Sequence, residues 1–253
     1  MFIDCHSHLD QYDSTELVSI LDRATTANVT HIVCAGTSLD SSEKCIRLTQ
    51  KSNILFSGVG IHPMEVNTRF DDNTYKSLAR LATSNEKVVC ISEIGLDYQP
   101  TSPAKDLQVE AFRSQIRLAI ELHLPIIFHS RNAHAETLKV LREEKASAVK
   151  GAFHYFQGSE QTAYEAIDEG FFISLAKPLL WLDELQTVAR NLPLEHIVLE
   201  TDSFPQPWKK HRRNWTEPHH IITIAEKLAE IKHSTVDEVA FITSNNAKKL
   251  LHL

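Results

Sequence analysis

Short runs of Val, Ile and Phe alternate along this chain with longer stretches whose apolar residues recur at three- and four-residue intervals. Runs that are apolar at nearly every position are those of strands covered on both faces, and the longer period is that of amphipathic helices. Eight runs read as strands, at about Phe2–Cys5, His31–Ala35, Leu55–Gly60, Val88–Ser92, Pro125–His129, Lys150–His154, Phe171–Leu175 and His196–Thr201. Between them, Val109, Phe112, Ile116, Ala119 and Ile120 share one helical face, with Ser102 placed as the cap and Pro103 as the first helical residue. One more helix is expected from about Thr235 to Leu251. Strand–helix alternation implies a parallel sheet, either an open doubly wound one or a closed (β/α)8 TIM barrel.

The end of the first strand separates these two architectures. An open nucleotide-binding sheet would place a Gly-rich turn there, whereas this chain places His6-Ser7-His8. The expectation is therefore a closed α/β barrel, the (β/α)8 TIM barrel. With no long linker, repeat or low-complexity segment, residues 1–253 read as a single domain.

Composition narrows the setting. At 42% hydrophobic and 23% charged residues the chain has the make-up of a globular protein with a packed core. No stretch of about 18 apolar residues occurs, and the start lacks a basic region followed by an apolar core, so a cytoplasmic protein without a membrane partner is expected. Cys5, Cys34, Cys45 and Cys90 form no C-x-x-C pair and read as reduced packing residues. A net charge of −7 argues against a protein that coats nucleic acid through a broad cationic surface, although a local basic patch is compatible with it.

Fourteen histidines are more than packing needs, and their placement carries the chemistry. His6 and His8 lie two apart at a strand end, so both rings project to one side and can share a cation. Glu93 is expected at the end of the fourth strand, His129 of the fifth, His154 of the sixth and Asp202 of the eighth, with His62 just after the third. In a barrel these ends converge on the face where such enzymes build their sites. Any one of them alone is as compatible with a hydrogen-bonded structural residue; their repetition at one point of the unit is not.

The pieces Asp4-Cys5-His6-Ser7-His8-Leu9-Asp10, Gly60-Ile61-His62-Pro63, Glu93-Ile94-Gly95-Leu96-Asp97, His129-Ser130-Arg131, Phe153-His154-Tyr155-Phe156 and Glu200-Thr201-Asp202-Ser203 together resemble the TatD family of metal-dependent deoxyribonucleases, within the amidohydrolase-type barrels. The resemblance spans nearly the whole chain in the family's order. It implies that His6, His8, Glu93 and Asp202 surround one metal and that Glu93, His129 and His154 hold a second, with Glu93 bridging. A carboxylate suits that role because it has two oxygens, whereas a neutral imidazole offers one lone pair. The chain departs from the family after Asp202-Ser203, where Phe204 replaces the usual Pro. Pro205 and Pro207 follow, and then the loop from Trp208 to Trp215. That departure bears on the substrate pocket, not on the ligand set.

The expected cofactors are two divalent ions: the histidine ligands favour Zn, Mn, Fe or Ni, and the resemblance adds Mg. Asp202 and Glu93 are the expected catalytic carboxylates, with Asp202 taking a proton from the attacking water. Substrate contacts are expected from His62, from Arg131 as a fork for a phosphate oxygen, and from Lys209, Lys210, Arg212 and Arg213, flanked by indoles that could stack on unpaired bases. Each has a plainer reading, as packing or as a solvated ion pair. Asp97 fits a structural or a catalytic role, and Lys177 a surface or phosphate-binding one. The expected partner is nucleic acid, as single-stranded DNA cleaved at a phosphodiester. The alternatives are an amidohydrolase acting on a small ester, amide or phosphotriester, and a noncatalytic metal-binding protein.

Overall fold

A computed structural model describes residues 1–253. The eight strands are β1 (Phe2–Ser7), β2 (Val29–Ala35), β3 (Leu55–Val59), β4 (Val88–Asp97), β5 (Ile126–Arg131), β6 (Gly151–Phe153), β7 (Phe171–Leu175) and β8 (Ile197–Leu199). All pair in parallel in chain order. A bridge between Ser7 and Ser203, with the bonds His8 N to Ser203 O (2.8 Å) and Asp202 N to His6 O (2.9 Å), brings the last strand back to the first. The outer layer comprises α1 (Ser14–Thr26), α2 (Leu39–Thr49), α3 (Asp72–Ala82), α4 (Lys105–Leu122), α5 (His134–Glu143), α6 (Glu160–Asp168), α7 (Asp183–Asn191), α8 (Ile221–Lys232) and α9 (Val236–Leu251). The fold is the expected TIM barrel.

Two apolar layers follow from the two-residue period of the strands. Ile32, Cys34, Ile126, Phe128, Ile197 and Leu199 belong to the large core shared with the helices. The residues between them, Val33, Ile127 and Val198, join Ile3, Cys5, Val89 and Ala152 in a second, smaller core on the opposite strand face. Ala247, Leu250 and Leu251 of α9 close that inner core, which gives the last helix its place under the barrel. All four cysteines are reduced and buried, as their apolar settings suggested.

Several boundaries differ from the sequence reading. β4 runs on to Asp97, so Glu93 lies within the strand instead of at its end. Gln108 of α4 holds the extension, accepting from Asp97 N (2.8 Å) and donating to Asp97 O (2.9 Å). β6 and β8 are shorter than expected, placing His154 one residue and Asp202 three residues past their strands. The expected cap of α4 is also corrected: the helix starts at Lys105, and its N-cap, Ala104, makes no side-chain bond. Ser102 instead donates to Asp97 Oδ1 (3.0 Å), because a buried carboxylate claims nearby donors. The other helix expected from the pattern begins where anticipated, with Thr235 capping α9 by accepting from Glu238 N.

Candidate metal centre

The C-terminal ends of the strands bring all six expected ligands together at the bottom of a polar cleft of about 780 Å³. Glu93 stands between two groups of rings. Its Oε2 lies 3.3 Å from His6 Nε2 and 3.4 Å from His8 Nε2. Its Oε1 lies 2.8 Å from His129 Nδ1 and 3.4 Å from His154 Nε2. Asp202 Oδ1 completes the first group, 3.3 Å from His8 Nε2 and 4.0 Å from His6 Nε2.

The four separations of 3.3–3.4 Å fit a cation. Two ligands each about 2.0–2.1 Å from a tetrahedral ion stand about 3.3–3.4 Å apart. Asp202 Oδ1 is also buried without a hydrogen-bond donor, which an isolated protein carboxylate avoids. Oxygen and imidazole nitrogen together suit a divalent metal of the zinc type.

The far side of each ring bears on which nitrogen carries its proton. His8 Nδ1 donates to Ala35 O (3.1 Å), leaving the Nε2 lone pair for the centre. His129 has a carboxylate at each nitrogen, Asp97 Oδ2 3.1 Å from Nε2 and Glu93 Oε1 2.8 Å from Nδ1; a cation taken by Nδ1 would leave the proton on Nε2, toward Asp97. His154 Nδ1 lies 2.9 Å from Glu200 Oε1, off the line of a good hydrogen bond but close enough to favour a proton there. Carboxylates behind imidazoles hold metal-binding rings in this way.

His62 has the opposite polarity. Its Nδ1 accepts from Met64 N (3.1 Å), so in the neutral ring Nε2 holds the proton, 3.4 Å from Glu93 Oε1. His62, Glu93 and His129 are close enough to form a third ligand group. An imidazole whose one lone pair is engaged has none left for a cation, however, so His62 faces the centre as a donor.

Electrostatics agree with this arrangement. Burial works against charge on every group, but the opposite charges outweigh it. His8 is raised well above its ordinary value by Asp202 and Glu93, and His154 is pushed up to about 9 by Glu200 and Glu93. Burial likewise fails to neutralise Asp202, which His8 and the other neighbouring rings, His154 and His6, hold at about 2. Glu93 is held far below the usual carboxylate range by His62, His154, His129 and His6. The carboxylates are thus anionic and attract positive charge, whether protons on the rings or a metal.

Three supporting residues were not singled out from the sequence. Asp4 is fully buried and accepts from Thr201 N (2.8 Å) and Thr201 Oγ1 (2.5 Å), tying β1 to the segment that carries Asp202. Glu200 accepts from Tyr155 N (2.6 Å) and Ser174 Oγ (2.6 Å) beside His154. Gln108 anchors Asp97, as above. Asp4 and Glu200 each stand two residues before a ligand, a spacing that offered a signal. Asp202 itself has a left-handed backbone (φ 50°), uncommon for a residue with a side chain and typical of over-determined functional positions.

The expected substrate contacts separate. Arg131 reaches the cleft, but its Nε and Nη2 are engaged by Asp97 Oδ2 at 2.8 and 2.6 Å. Asp97 therefore serves His129 and Arg131 together. Of the basic loop only Lys209 lines the cleft, and Lys210 is exposed outside it. Arg212 and Arg213 line a second polar cavity with Arg23, His219 and His220, which corrects their expected place over the site. Arg212 pairs with Glu16 (2.7 Å) and Glu217 (2.8 Å) and lies 4.4 Å from the Trp215 ring, so neither it nor Trp215 is free to take a nucleotide. Buried Glu217 and half-buried Glu16, both outside the Trp208–Trp215 loop, recruited that arginine. Lys177, half-buried, faces the cleft.

A barrel with a histidine–carboxylate cluster at its C-terminal face is the architecture of metal-dependent hydrolases. The family described as TatD related DNase matches residues 3–252. The chain is 35% identical over 262 residues to YabD, a metal-dependent hydrolase of Bacillus subtilis, with both chains covered completely. It is 32% identical over 260 residues to human deoxyribonuclease TATDN3, covering 98% of this chain and 93% of the relative. Among solved structures, YjjV, a TatD homologue from Escherichia coli K12, superimposes with a TM-score of 0.91 at 26% identity, over 100% of this chain and 98% of that one. The chain belongs to the TatD family and is a metal-dependent hydrolase. No helix is long and apolar enough to cross a membrane.

Proposed function

We propose that this hydrolase cleaves phosphodiester bonds of DNA, with two divalent ions that share Glu93. The observation that carries the reading is the division of Glu93, whose Oε2 faces His6 and His8 and whose Oε1 faces His129 and His154. His6, His8 and Asp202 would complete one cation position, and His129 and His154 the other. When bound, the pair would supply a nucleophilic water near neutral pH and neutralise charge on a phosphoryl oxygen.

The chain's own residues do the rest. Asp202, ionised down to about pH 2, is available at any working pH to accept the proton of the attacking water. His62, with Nε2–H directed into the centre, donates a hydrogen bond to a substrate oxygen that comes to rest beside Glu93. Asp97 favours the binding tautomer of His129 while clamping Arg131 at the rim, where the exposed part of that guanidinium meets the substrate.

The cleft's make-up favours phosphodiesters over the small apolar substrates of other amidohydrolases: only three of its 22 lining residues are hydrophobic, and Arg131, Lys177 and Lys209 surround it. The human relative's description as a deoxyribonuclease points the same way. The test is metal analysis of protein purified without chelator, followed by assay of labelled single-stranded DNA, duplex DNA and RNA beside small esters and a phosphotriester. Metal-dependent release from DNA is expected. Turnover of the small substrates alone would replace this reading with the amidohydrolase one.

A further inference from the structure

One wall of the cleft is built differently from the metal-bearing floor. It consists of two adjoining segments, Lys177 to Trp181 after β7 and Phe204 to Lys209 after β8. Thr216 links them: its Oγ1 accepts from Lys177 Nζ (3.3 Å) and its N donates to Gln206 Oε1 (2.9 Å). Trp181 faces the cleft yet is 56% exposed, a large indole surface with no cover. Phe204 also lines the cleft and is backed by Trp208, ring centroids 5.7 Å apart.

Arginines and lysines differ in their partners: most arginines pair with acids, whereas among the lysines only Lys139 and Lys227 do. Arg23, Arg113, Arg117, Arg131, Arg142 and Arg212 all pair with carboxylates. Lys177 and Lys209 have only neutral partners, Thr216 Oγ1 and Asn214 O (3.1 Å). Burial and then repulsion from Lys209 lower the Lys177 ammonium. Both ammonium groups line the open cleft with neutral partners only, so their charge is available to an anion from outside.

We propose that Lys177, Lys209, Trp181 and Phe204 form a subsite for one unpaired nucleotide next to the scissile bond, its phosphate on the two ammonium groups and its base stacked on Trp181. This rests on the phosphodiesterase reading and deepens it by naming the residues that would hold the nucleotide; a base held in a duplex cannot turn its face to the indole. Phe204, standing where the family's pattern has Pro, adds a second aromatic edge to the platform. Stacking is indifferent to base identity, so the subsite discriminates a base from its absence more than one base from another.

The test measures binding of a fluorescein-labelled thymidine decamer by anisotropy, with chelator present to stop turnover, against a decamer of the same backbone without bases. The native protein should bind the base-bearing strand at least about fivefold more tightly, the lower end for one stacked base. Trp181→Ala should remove that preference, Trp181→Phe should restore most of it, and both should keep the native circular dichroism. Lys177→Ser with Lys209→Ser should weaken both decamers equally and flatten the logarithmic salt slope by roughly 0.7 per lost phosphate contact. An unchanged preference in Trp181→Ala, or tighter binding of an acidic peptide than of either decamer, overturns the subsite. Metal-dependent cleavage of DNA by the same Trp181→Ala protein would leave the hydrolytic reading standing. Cleavage of no nucleic acid by the native protein would remove that reading itself.

Discussion

Asp97 illustrates how much a single side chain behind the site can decide. Its carboxylate is reached by His129 Nε2, Arg131, Ser102 and the backbone of Gln99, so both oxygens are spoken for and a proton on His129 Nε2 is favoured. Asp97→Asn should therefore keep the fold but weaken metal binding by about 10–100-fold, the usual loss when a carboxylate behind a ligating histidine is removed. Competition with a chromogenic chelator measures this, and unchanged affinity would assign Asp97 to Arg131 alone. Protonation of the rings gives a second test. His154 is held at about 9 by Glu200 and Glu93, so at neutral pH the metal-free ring is mostly protonated and a cation must displace that proton. The sign follows: affinity should climb as pH rises toward about 9 and level off above it, with proton uptake into buffer on metal binding seen by calorimetry in buffers of different ionisation enthalpy. Affinity flat between pH 6 and 9 would contradict the charge balance described for this centre.

At the scale of elements, the position of Glu93 depends on β4 continuing to Asp97 beside β5. Gly95 makes this close approach feasible: its φ is 145°, and a Cβ there would lie 2.0 Å from His129 O. Gly95→Ala should thus separate the two strands and reduce both metal content and thermal stability, measured together by elemental analysis and calorimetry. The loop after β8 has a different dependence. Arg212 fastens it to α1 through Glu16 and Glu217, with Arg23 on the same Glu217. Arg212→Ala should lower Tm by about 2–4 °C, equivalent to about 1 kcal/mol in a chain this size, and leave the KM for an oligonucleotide nearly unchanged. A large rise in KM without loss of stability would return Arg212 to the substrate-binding role that its neighbours in sequence suggest.

For the molecule as a whole, the eight apolar runs and the histidines at their ends were legible because a barrel repeats one unit eight times and places every strand end on one face. Periodicity carries such information, and so does the recurrence of His6, His8, His129 and His154 at one point of that unit. What the pattern does not carry is pairing between distant residues. That Arg212 meets Glu16, that Asp97 is shared by His129 and Arg131, and that Asp4 holds Thr201 depend on contacts up to 197 residues apart in sequence. Strand ends are invisible for a related reason: the extension of β4 is fixed by Gln108, a buried amide that reads in sequence as an ordinary polar helix residue. The central claim, that Glu93 joins two cation positions, is tested most directly by counting metal per chain in protein loaded to saturation and then desalted. The native protein should retain two ions, His154→Ala about one, and Glu93→Ala neither tightly, with circular dichroism showing all three folded. Two tightly held ions in folded Glu93→Ala protein would contradict the bridge.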